Sequence, residues 1–214
     1  MPQLKLIVVA FVALVLTGCQ KSTSAYNDVF THSPKYVTKS SNGFVPANTR
    51  RKSNKKTYFI QFRARNALSY GHASVVLGKL DRRGRVPTDK KGVLITGVTE
   101  VAGLHPRTQS TVPFSLGHVL PVAAETGWSD GDSEDAYVTA KYTIKLTEAQ
   151  FKRVAAKVRA RKERHKTWHA VTNSCVTFIR GIARDIGLRT PKRPHLPPGF
   201  VNSLKRLNGK NPKV

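Results

Sequence analysis

The sequence predicts a single α+β domain in which a small antiparallel sheet or partial barrel packs on a helix that carries a cysteine. Segments that alternate apolar and polar residues, the period of a strand, occur together with segments in which apolar residues recur at the period of a helix. The stretch that shows both patterns, residues 56–190, has the length of one ordinary domain and can bury one hydrophobic core.

Four strands are predicted from the alternating segments. In the first, Tyr58, Ile60 and Phe62 alternate with polar residues, which indicates a strand with one buried face. A turn sequence, DRRGR, joins two of the strands. The predicted strands are residues 56–65, 71–80, 92–101 and 137–146.

The first predicted helix begins at a capping box. Thr147 is the expected N-cap and Gln150 follows three residues later, so each side chain can satisfy a backbone N–H at the helix start. Basic residues on the outer face form either a solvated surface or a contact surface for anions, and the pattern leaves both open. The buried stripe is Phe151, Val154, Ala155 and Val158, and the basic stripe is Lys152, Arg153, Lys157, Arg161 and Lys162.

The second predicted helix carries the cysteine in its first turn. Thr172 or Asn173 can cap this helix, and Gly187 is a natural stop. Cys175 is therefore expected where free backbone N–H groups and the helix dipole stabilise a thiolate, which is the nucleophilic form of cysteine. The expected buried stripe is Val176, Ile179, Ile182, Ala183 and Ile186.

A nucleophilic cysteine needs a base nearby, because a thiol is only partly ionised at neutral pH. His72, in the segment GHASVVLG at the start of a predicted strand, is the best candidate for that base. The alternative is structural: free cysteine is among the most buried residue types, so Cys175 could simply pack under its helix.

These two segments carry a resemblance to a known family. GHASVVLG, followed at a distance by TNSCVTFIRGIARDIGL, resembles the circularly permuted NlpC-type members of the papain-like fold, in which the histidine precedes the cysteine in the chain. The resemblance implies that Cys175 is the nucleophile and His72 its base, with the backbone N–H of Cys175 stabilising the oxyanion. A member that keeps the fold and has lost the chemistry also fits the sequence.

The resemblance further implies a polar residue that orients the imidazole from a neighbouring strand. Glu100 is the first choice, because it stands at the end of a predicted strand and a carboxylate would hold the correct tautomer. His105 is the alternative. Thr99 and Gln61 also stay open, because the sequence does not fix the strand register.

The N-terminal residues predict export and lipidation. Residues 1–18 contain one lysine and then an apolar run that is too short to span a bilayer and is typical of a signal peptide. The segment that ends at Cys19 resembles a lipobox, so Cys19 is the expected site of lipid attachment, with cleavage just before it. By the same resemblance, Gln20 favours the outer membrane, on the side that faces the periplasm.

Two flanking segments are expected to lie outside the domain core. Residues 19–55 are rich in Ser, Thr, Asn and Lys with little apolar periodicity, which predicts a flexible tether from the membrane. Residues 191–214 form a Pro-rich basic tail, and its prolines predict an ordered wrap or a loose end rather than a helix.

The chain is strongly basic. It has 37 Lys and Arg residues against 12 Asp and Glu, a formal net charge of +25. In an exported protein this charge favours peptidoglycan, anionic lipid or lipopolysaccharide as the partner, and no nucleic acid is expected. Once Cys19 is lipidated, Cys175 is the only free thiol, so no disulfide is expected within the chain.

No cofactor or metal is expected. His165 and His169 are four residues apart, as zinc ligands can be, but basic residues surround them. The acidic segment 128–136 lacks the glycine and the glutamate that an EF-hand loop needs, and an exposed loop is expected there instead. G-x-S-x-G, P-loop and G-x-G-x-x-G motifs are absent.

Taken with the resemblance, these patterns favour a lipid-anchored periplasmic cysteine hydrolase. The resemblance implies cleavage of amide bonds in peptidoglycan stem peptides as the first choice, and hydrolysis or transfer of a lipid acyl ester as the second. The contrasting class is a cationic lipoprotein that binds anionic polymer or lipid without catalysis.

Overall fold

A computed structural model describes most of the chain from residue 54 onward, and its described residues form an α+β fold. A six-stranded antiparallel open sheet is combined with four helices in this part of the chain, so the expected antiparallel sheet is confirmed and is open rather than a partial barrel. The predicted signal peptide, Cys19 and nearly all of the predicted tether lie outside the described residues. The described ranges are 54–67, 70–108, 110–192, 196–210 and 212–214.

The sheet has the strand order β5-β1-β2-β3-β4-β6. Its strands are β1 (Tyr58–Arg65), β2 (His72–Lys79), β3 (Thr99–Pro106), β4 (Val122–Gly127), β5 (Val138–Leu146) and β6 (Thr167–Trp168). The helices are α1 (Thr111–Leu116), α2 (Glu148–Arg164), α3 (Cys175–Asp185) and α4 (Pro197–Asn208), and a short 3-10 turn precedes β5. None of these helices is long and apolar enough to cross a bilayer.

The main hydrophobic core lies between one face of the sheet and α2, α3 and α4. Burying a large apolar side chain stabilises a fold by about 1.5–3 kcal/mol, so this layer supplies most of the driving force. The capping box of α2 is confirmed: the Thr147 hydroxyl accepts from the Gln150 N–H, and the Gln150 side chain accepts from the Thr147 N–H. Fully buried members of the core include Ile60, Phe62, Ile144, Phe178, Ile179 and Phe200.

The opposite face of the sheet is also covered, so the prediction that β1 has only one buried face is wrong. All eight residues of β1 are buried. A smaller apolar cluster forms beneath the chain that follows β2, and polar residues of β1 are buried beneath the chain that precedes β5. This cluster contains Phe59, Val76, Leu80, Leu94 and Val101.

The third strand begins later than the alternating pattern predicts. Gly92 and Gly97 adopt positive φ angles of 80° and 82°, a backbone conformation that interrupts an extended strand. The segment 92–97 therefore makes only isolated bridges, and β3 starts at Thr99 and runs to Pro106. Strands β4 and β6 were not predicted, because β4 has no clear alternation and β6 is only two residues long.

The acidic segment 128–136 is not an exposed loop. Ser129, Asp130, Asp132 and Ser133 are all buried. The physical reason lies on β1, where two arginines point to the same side of the sheet and are buried, so they require carboxylate partners there.

The basic tail contains a helix, α4, so the prediction that its prolines exclude a helix is wrong. Pro197 and Pro198 occupy the first turn of α4, where a missing backbone N–H costs nothing. Behind them Phe200, Val201 and Leu204 recur at helical spacing and pack into the main core.

Candidate active site

Cys175 is the first residue of α3, and its sulfur lies beside the start of β2. The N-cap is Ser174 rather than Thr172 or Asn173, because the Ser174 hydroxyl accepts from the Thr177 N–H. The side chain is buried, with 6% of the residue exposed. Its sulfur accepts hydrogen bonds from the backbone N–H groups of Ala73 and Val176. The Ala73 contact brings the sulfur next to the residue that follows His72.

His72 is the first residue of β2 and lines the same small cavity as Cys175. This cavity has a volume of about 60 Å³. The structure therefore brings the expected nucleophile and the expected base to one site at the end of the sheet. The rest of the wall is largely aromatic and apolar, and includes Tyr70, Leu104, Pro106, Phe114 and Trp168.

The carboxylate next to His72 belongs to Asp132. Its Oδ2 lies 3.6 Å from His72 Nε2, and its side chain is fully buried. Asp132 is itself fixed in place: Oδ1 accepts from Arg65 Nε at 2.7 Å, and Oδ2 accepts from the Ser129 backbone N–H at 3.1 Å. Asp132 is the carboxylate nearest the imidazole, at an ion-pair distance that is longer than a hydrogen bond, and His72 Nε2 has no hydrogen-bond partner among the described residues.

Arg65 completes this buried group on the next strand. It lies directly opposite His72 in the β1–β2 register, and its Nη2 donates to Ser129 Oγ at 2.8 Å. A buried carboxylate is strongly unfavourable without a partner. Arg65 provides that partner and holds the chain around Asp132 against the strand that carries the base.

Glu100, the first sequence choice for the orienting residue, is not brought to His72. It lies opposite Leu77, five residues along β2 from His72, which is about 16 Å at the rise of a strand. Its carboxylate instead accepts from Arg159 Nη2 at 2.9 Å and forms an ion pair with Lys162. Glu100 therefore ties β3 to α2.

The other candidates for the orienting role also have different partners. His105 is the nearest, with its ring centre 6.2 Å from that of His72, but its Nδ1 lies 3.0 Å from the Pro106 carbonyl oxygen. Thr99 donates to the Ile95 carbonyl, and Gln61 donates to Thr143 Oγ1. Of these residues, only His105 reaches the cavity.

Burial sets the charge states of the pair. It raises the pKa of the Cys175 thiol to about 11, in spite of the two backbone N–H donors. Burial also lowers the pKa of His72 to about 4, and the nearby Asp132 carboxylate offsets only part of this effect. At neutral pH the site therefore holds a neutral thiol and a neutral imidazole. Desolvation therefore opposes the thiolate that the helix start was expected to favour at Cys175.

The charge of Asp132 is maintained by its neighbours. Burial alone would raise the pKa of this carboxyl, but the charges of His72 and Arg65 and the hydrogen bonds from Arg65 and Ser129 lower it overall. Because His72 is neutral at pH 7, we attribute the ionised state chiefly to Arg65. An ionised Asp132 favours the imidazole tautomer with its proton on Nε2, which leaves Nδ1 as the basic nitrogen.

Gly103 leaves room for the His72 ring beside β3. A Cβ atom at position 103 would come within 2.8 Å of His72 Nε2. Gly127, its partner on β4, has open space where a Cβ would stand. At Gly103 the closest approach is to the ring of the candidate base, and Ser74 Cβ follows at 3.3 Å.

A second, larger cavity of about 580 Å³ lies elsewhere on the molecule. It is formed by β1, β5 and the loop after β2, and contains neither Cys175 nor His72. The described residues also contain no group of three or more His, Cys, Asp or Glu side chains placed to hold a metal ion. Of these two cavities, only the smaller one is lined by the candidate nucleophile and base.

Asp132 and Arg65 are the site residues that the sequence did not reveal. Asp132 lies 60 positions after His72, in a segment whose composition is that of an exposed loop. The sequence does contain one indication that these residues pair. Arg63 and Arg65 fall on one side of a predicted strand, and the acidic residues at 130–135 form the densest group of possible partners.

Comparison with models of known protein families, with curated proteins and with solved structures finds no match for this chain. The chemistry of the site therefore has to be inferred from its own geometry.

Proposed function

We propose that the protein is a cysteine hydrolase of the permuted papain-like class, with Cys175 as nucleophile, His72 as general base and Asp132 as the residue that positions the base. The observation that carries this proposal is the shared cavity: Cys175 and His72 both line it, and the buried carboxylate of Asp132 stands behind His72. Nucleophile, base and orienting group in this arrangement are the parts that acyl transfer requires.

The reaction starts from a neutral pair. As substrate enters, Nδ1 of His72 takes the thiol proton while the sulfur attacks the carbonyl carbon, and the imidazolium that forms is stabilised by Asp132. The negative oxygen is stabilised by the backbone N–H of Cys175, which as the first residue of α3 has no acceptor within the helix. His72 then gives its proton to the leaving group, and water hydrolyses the thioester, returning the proton to Cys175.

The first substrate class that we propose is the amide bond of peptidoglycan stem peptides, in keeping with the resemblance and with a protein anchored through Cys19 to the outer membrane. A lipid acyl ester is the second. The specific observation in its favour is the wall of the cavity, where Leu104, Phe114 and Trp168 offer an apolar surface to an acyl group. No cofactor takes part in either reaction.

The proposal is tested with the mature chain and its Cys175→Ala and His72→Ala variants. A peptidase changes the stem composition of muropeptides released from isolated sacculi, and an esterase releases fatty acid from phospholipid vesicles. Both variants are expected to lower the active reaction by at least about a thousand-fold, as loss of nucleophile or base does in such enzymes. Activity that persists in Cys175→Ala would contradict the proposal.

The glycines of β3 and β4 provide a matched pair of variants. Gly103→Ala pushes a methyl group against His72 Nε2, so we expect kcat to fall by at least about ten-fold through misplacement of the base. Gly127→Ala adds the same group in open space and is expected to keep its activity. Equal activity of the two variants would argue against His72 as the base.

A further inference from the structure

Exposed apolar side chains gather around the mouth of the Cys175 cavity. Eight large hydrophobic residues are exposed in the part of the chain that the structure describes, and six of them lie here. Single exposed apolar residues are ordinary, but a contiguous group marks a surface that contacts another apolar phase. The six, with exposures from 46% to 77%, are Val112, Leu116, Val119, Leu120, Val171 and Leu196, and we call them the mouth face.

The fold explains how distant residues form one face. Helix α1 contributes Phe114 to the cavity wall, and the turn that follows is held by N–H groups of Val119 and Leu120 that donate to the Leu116 carbonyl. The Ala170 N–H donates to the Gly117 carbonyl, which places Val171 beside that turn.

Leu196 reaches the mouth from the C-terminal part of the chain. It precedes Pro197, whose Cβ lies 4.0 Å from the position that a Cβ on Gly71 would occupy. Gly71 itself lines the cavity, so Leu196 lies close to the opening.

The charge around this face is one-sided. The segments that build the mouth, residues 66–80, 101–124, 164–184 and 186–214, contain no Asp or Glu. Arg107 and Lys166 are exposed. The Arg107 N–H donates to the Ala123 carbonyl, and the Lys166 carbonyl accepts from the Ala124 N–H, so both residues lie beside the start of β4, directly after Leu120 and Pro121. The face therefore combines apolar side chains with cations, although the exposed Glu125 and Glu163 lie directly beyond these segments and Glu163 is 3.6 Å from Lys166.

We propose that the mouth face docks on an anionic lipid bilayer. A bilayer accepts both features together, because aliphatic side chains enter the boundary between headgroups and acyl chains while basic side chains contact anionic headgroups. The predicted lipid on Cys19 is also consistent with this docking. Such an anchor, about 35 residues before the domain, would hold the domain near a membrane at high effective concentration. Docking does not require that the site be catalytic.

The test uses the chain from residue 19 to 214 with Cys19→Ser, so that no attached lipid holds it to a membrane. Its sedimentation is measured with vesicles of phosphatidylglycerol and phosphatidylethanolamine in equal parts. Combining Leu116→Gln, Val119→Gln and Val171→Gln is expected to weaken binding by at least about ten-fold, because three apolar side chains no longer enter the bilayer. The substituted side chains are exposed, so thermal unfolding of this variant is expected to match the parent chain.

A matched control replaces an apolar residue that is exposed elsewhere. Ile95→Gln changes a side chain of 44% exposure that does not line the cavity, and is expected to bind vesicles as the parent does. Arg107→Gln with Lys166→Gln should weaken binding at low salt and lose that effect at high salt. Equal losses in the mouth and control variants would overturn the proposal. The proposal would also be overturned if the parent chain formed a dimer in the absence of lipid and the mouth variant were a monomer.

Discussion

At the scale of single residues, the sulfur of Cys175 is enclosed by apolar side chains and two backbone N–H donors. Desolvation penalises the thiolate more than the donors and the helix dipole favour it, so the pKa rises to about 11. Such a cysteine reacts only when a base removes its proton during attack. A thiol with a raised pKa is also less readily oxidised at neutral pH.

We therefore predict slow alkylation of Cys175 at neutral pH. In the chain with Cys19→Ser, Cys175 is the only thiol, and the rate of reaction with iodoacetamide should rise with pH up to about 11. Intact-mass measurement at a series of pH values gives this profile. A profile that levels off below the reference thiol pKa of about 8.5 would instead establish a resting thiolate.

The buried neutral His72 makes stability depend on pH. Its folded-state pKa is about 4 and its unfolded value about 6.5, so between these limits the unfolded chain binds more protons than the folded protein. The free energy of unfolding should therefore fall as the pH is lowered from 6.5 to 4, by up to about 3 kcal/mol from this residue. Below pH 4 this contribution levels off.

Urea unfolding at pH 4.5, 5.5 and 7 measures the dependence, and His72→Gln provides the control. That variant has no imidazole to protonate at this position, so its stability should fall less over the same interval. Parallel curves for the parent and His72→Gln would show that position 72 holds no buried neutral histidine.

At the scale of elements, helix α4 closes the main core although its sequence begins with two prolines. Its apolar residues contact β5 and β1, so the tail completes the fold instead of hanging from it. Phe200→Ala is therefore expected to destabilise the protein by about 3–5 kcal/mol, the usual cost of deleting a buried aromatic ring. Lys205→Ala, on the exposed side of the same helix, should change stability by less than about 0.5 kcal/mol.

Thermal or urea unfolding of both variants measures this effect. A small effect of Phe200→Ala, equal to that of Lys205→Ala, would mean that α4 is not part of the cooperative unit.

Elements whose pattern is local were predictable from the sequence, and those set by distant contacts were not. The capping box at Thr147 and the strands β1, β2 and β5 are encoded within a few residues, and the structure contains them, although only β5 has the alternating burial that its sequence predicts. The burial of the acidic segment depends on two arginines more than sixty positions earlier. In the same way Cys175 and His72 could be chosen from their local sequence, whereas Asp132 needed the tertiary fold.

At the scale of the whole molecule, the net charge of +25 outweighs the few ion pairs that the surface contains. Exposed pairs such as Lys152–Glu148 and Arg85–Asp81 each contribute about 0–1 kcal/mol, and salt weakens them. The excess of cations repels itself throughout the folded protein, and salt weakens that repulsion as well. Salt therefore lowers stability by weakening the ion pairs and raises it by weakening the repulsion. Because cations exceed anions about three to one, we expect repulsion to dominate.

The prediction is that sodium chloride stabilises the protein. Raising the concentration from about 0.01 M to 0.2 M shortens the screening length from about 30 Å to less than 10 Å, which removes most repulsion across the domain while the buried Arg65–Asp132 pair is little affected. A gain of the order of 1 kcal/mol raises Tm by about 2–4 °C for a chain of this size. Calorimetry measures the shift, and potassium chloride should give the same result, since screening depends on ionic strength and not on the cation. A Tm that falls with salt would mean that the surface ion pairs dominate the electrostatic free energy, and that the excess positive charge lies too far apart to destabilise the fold.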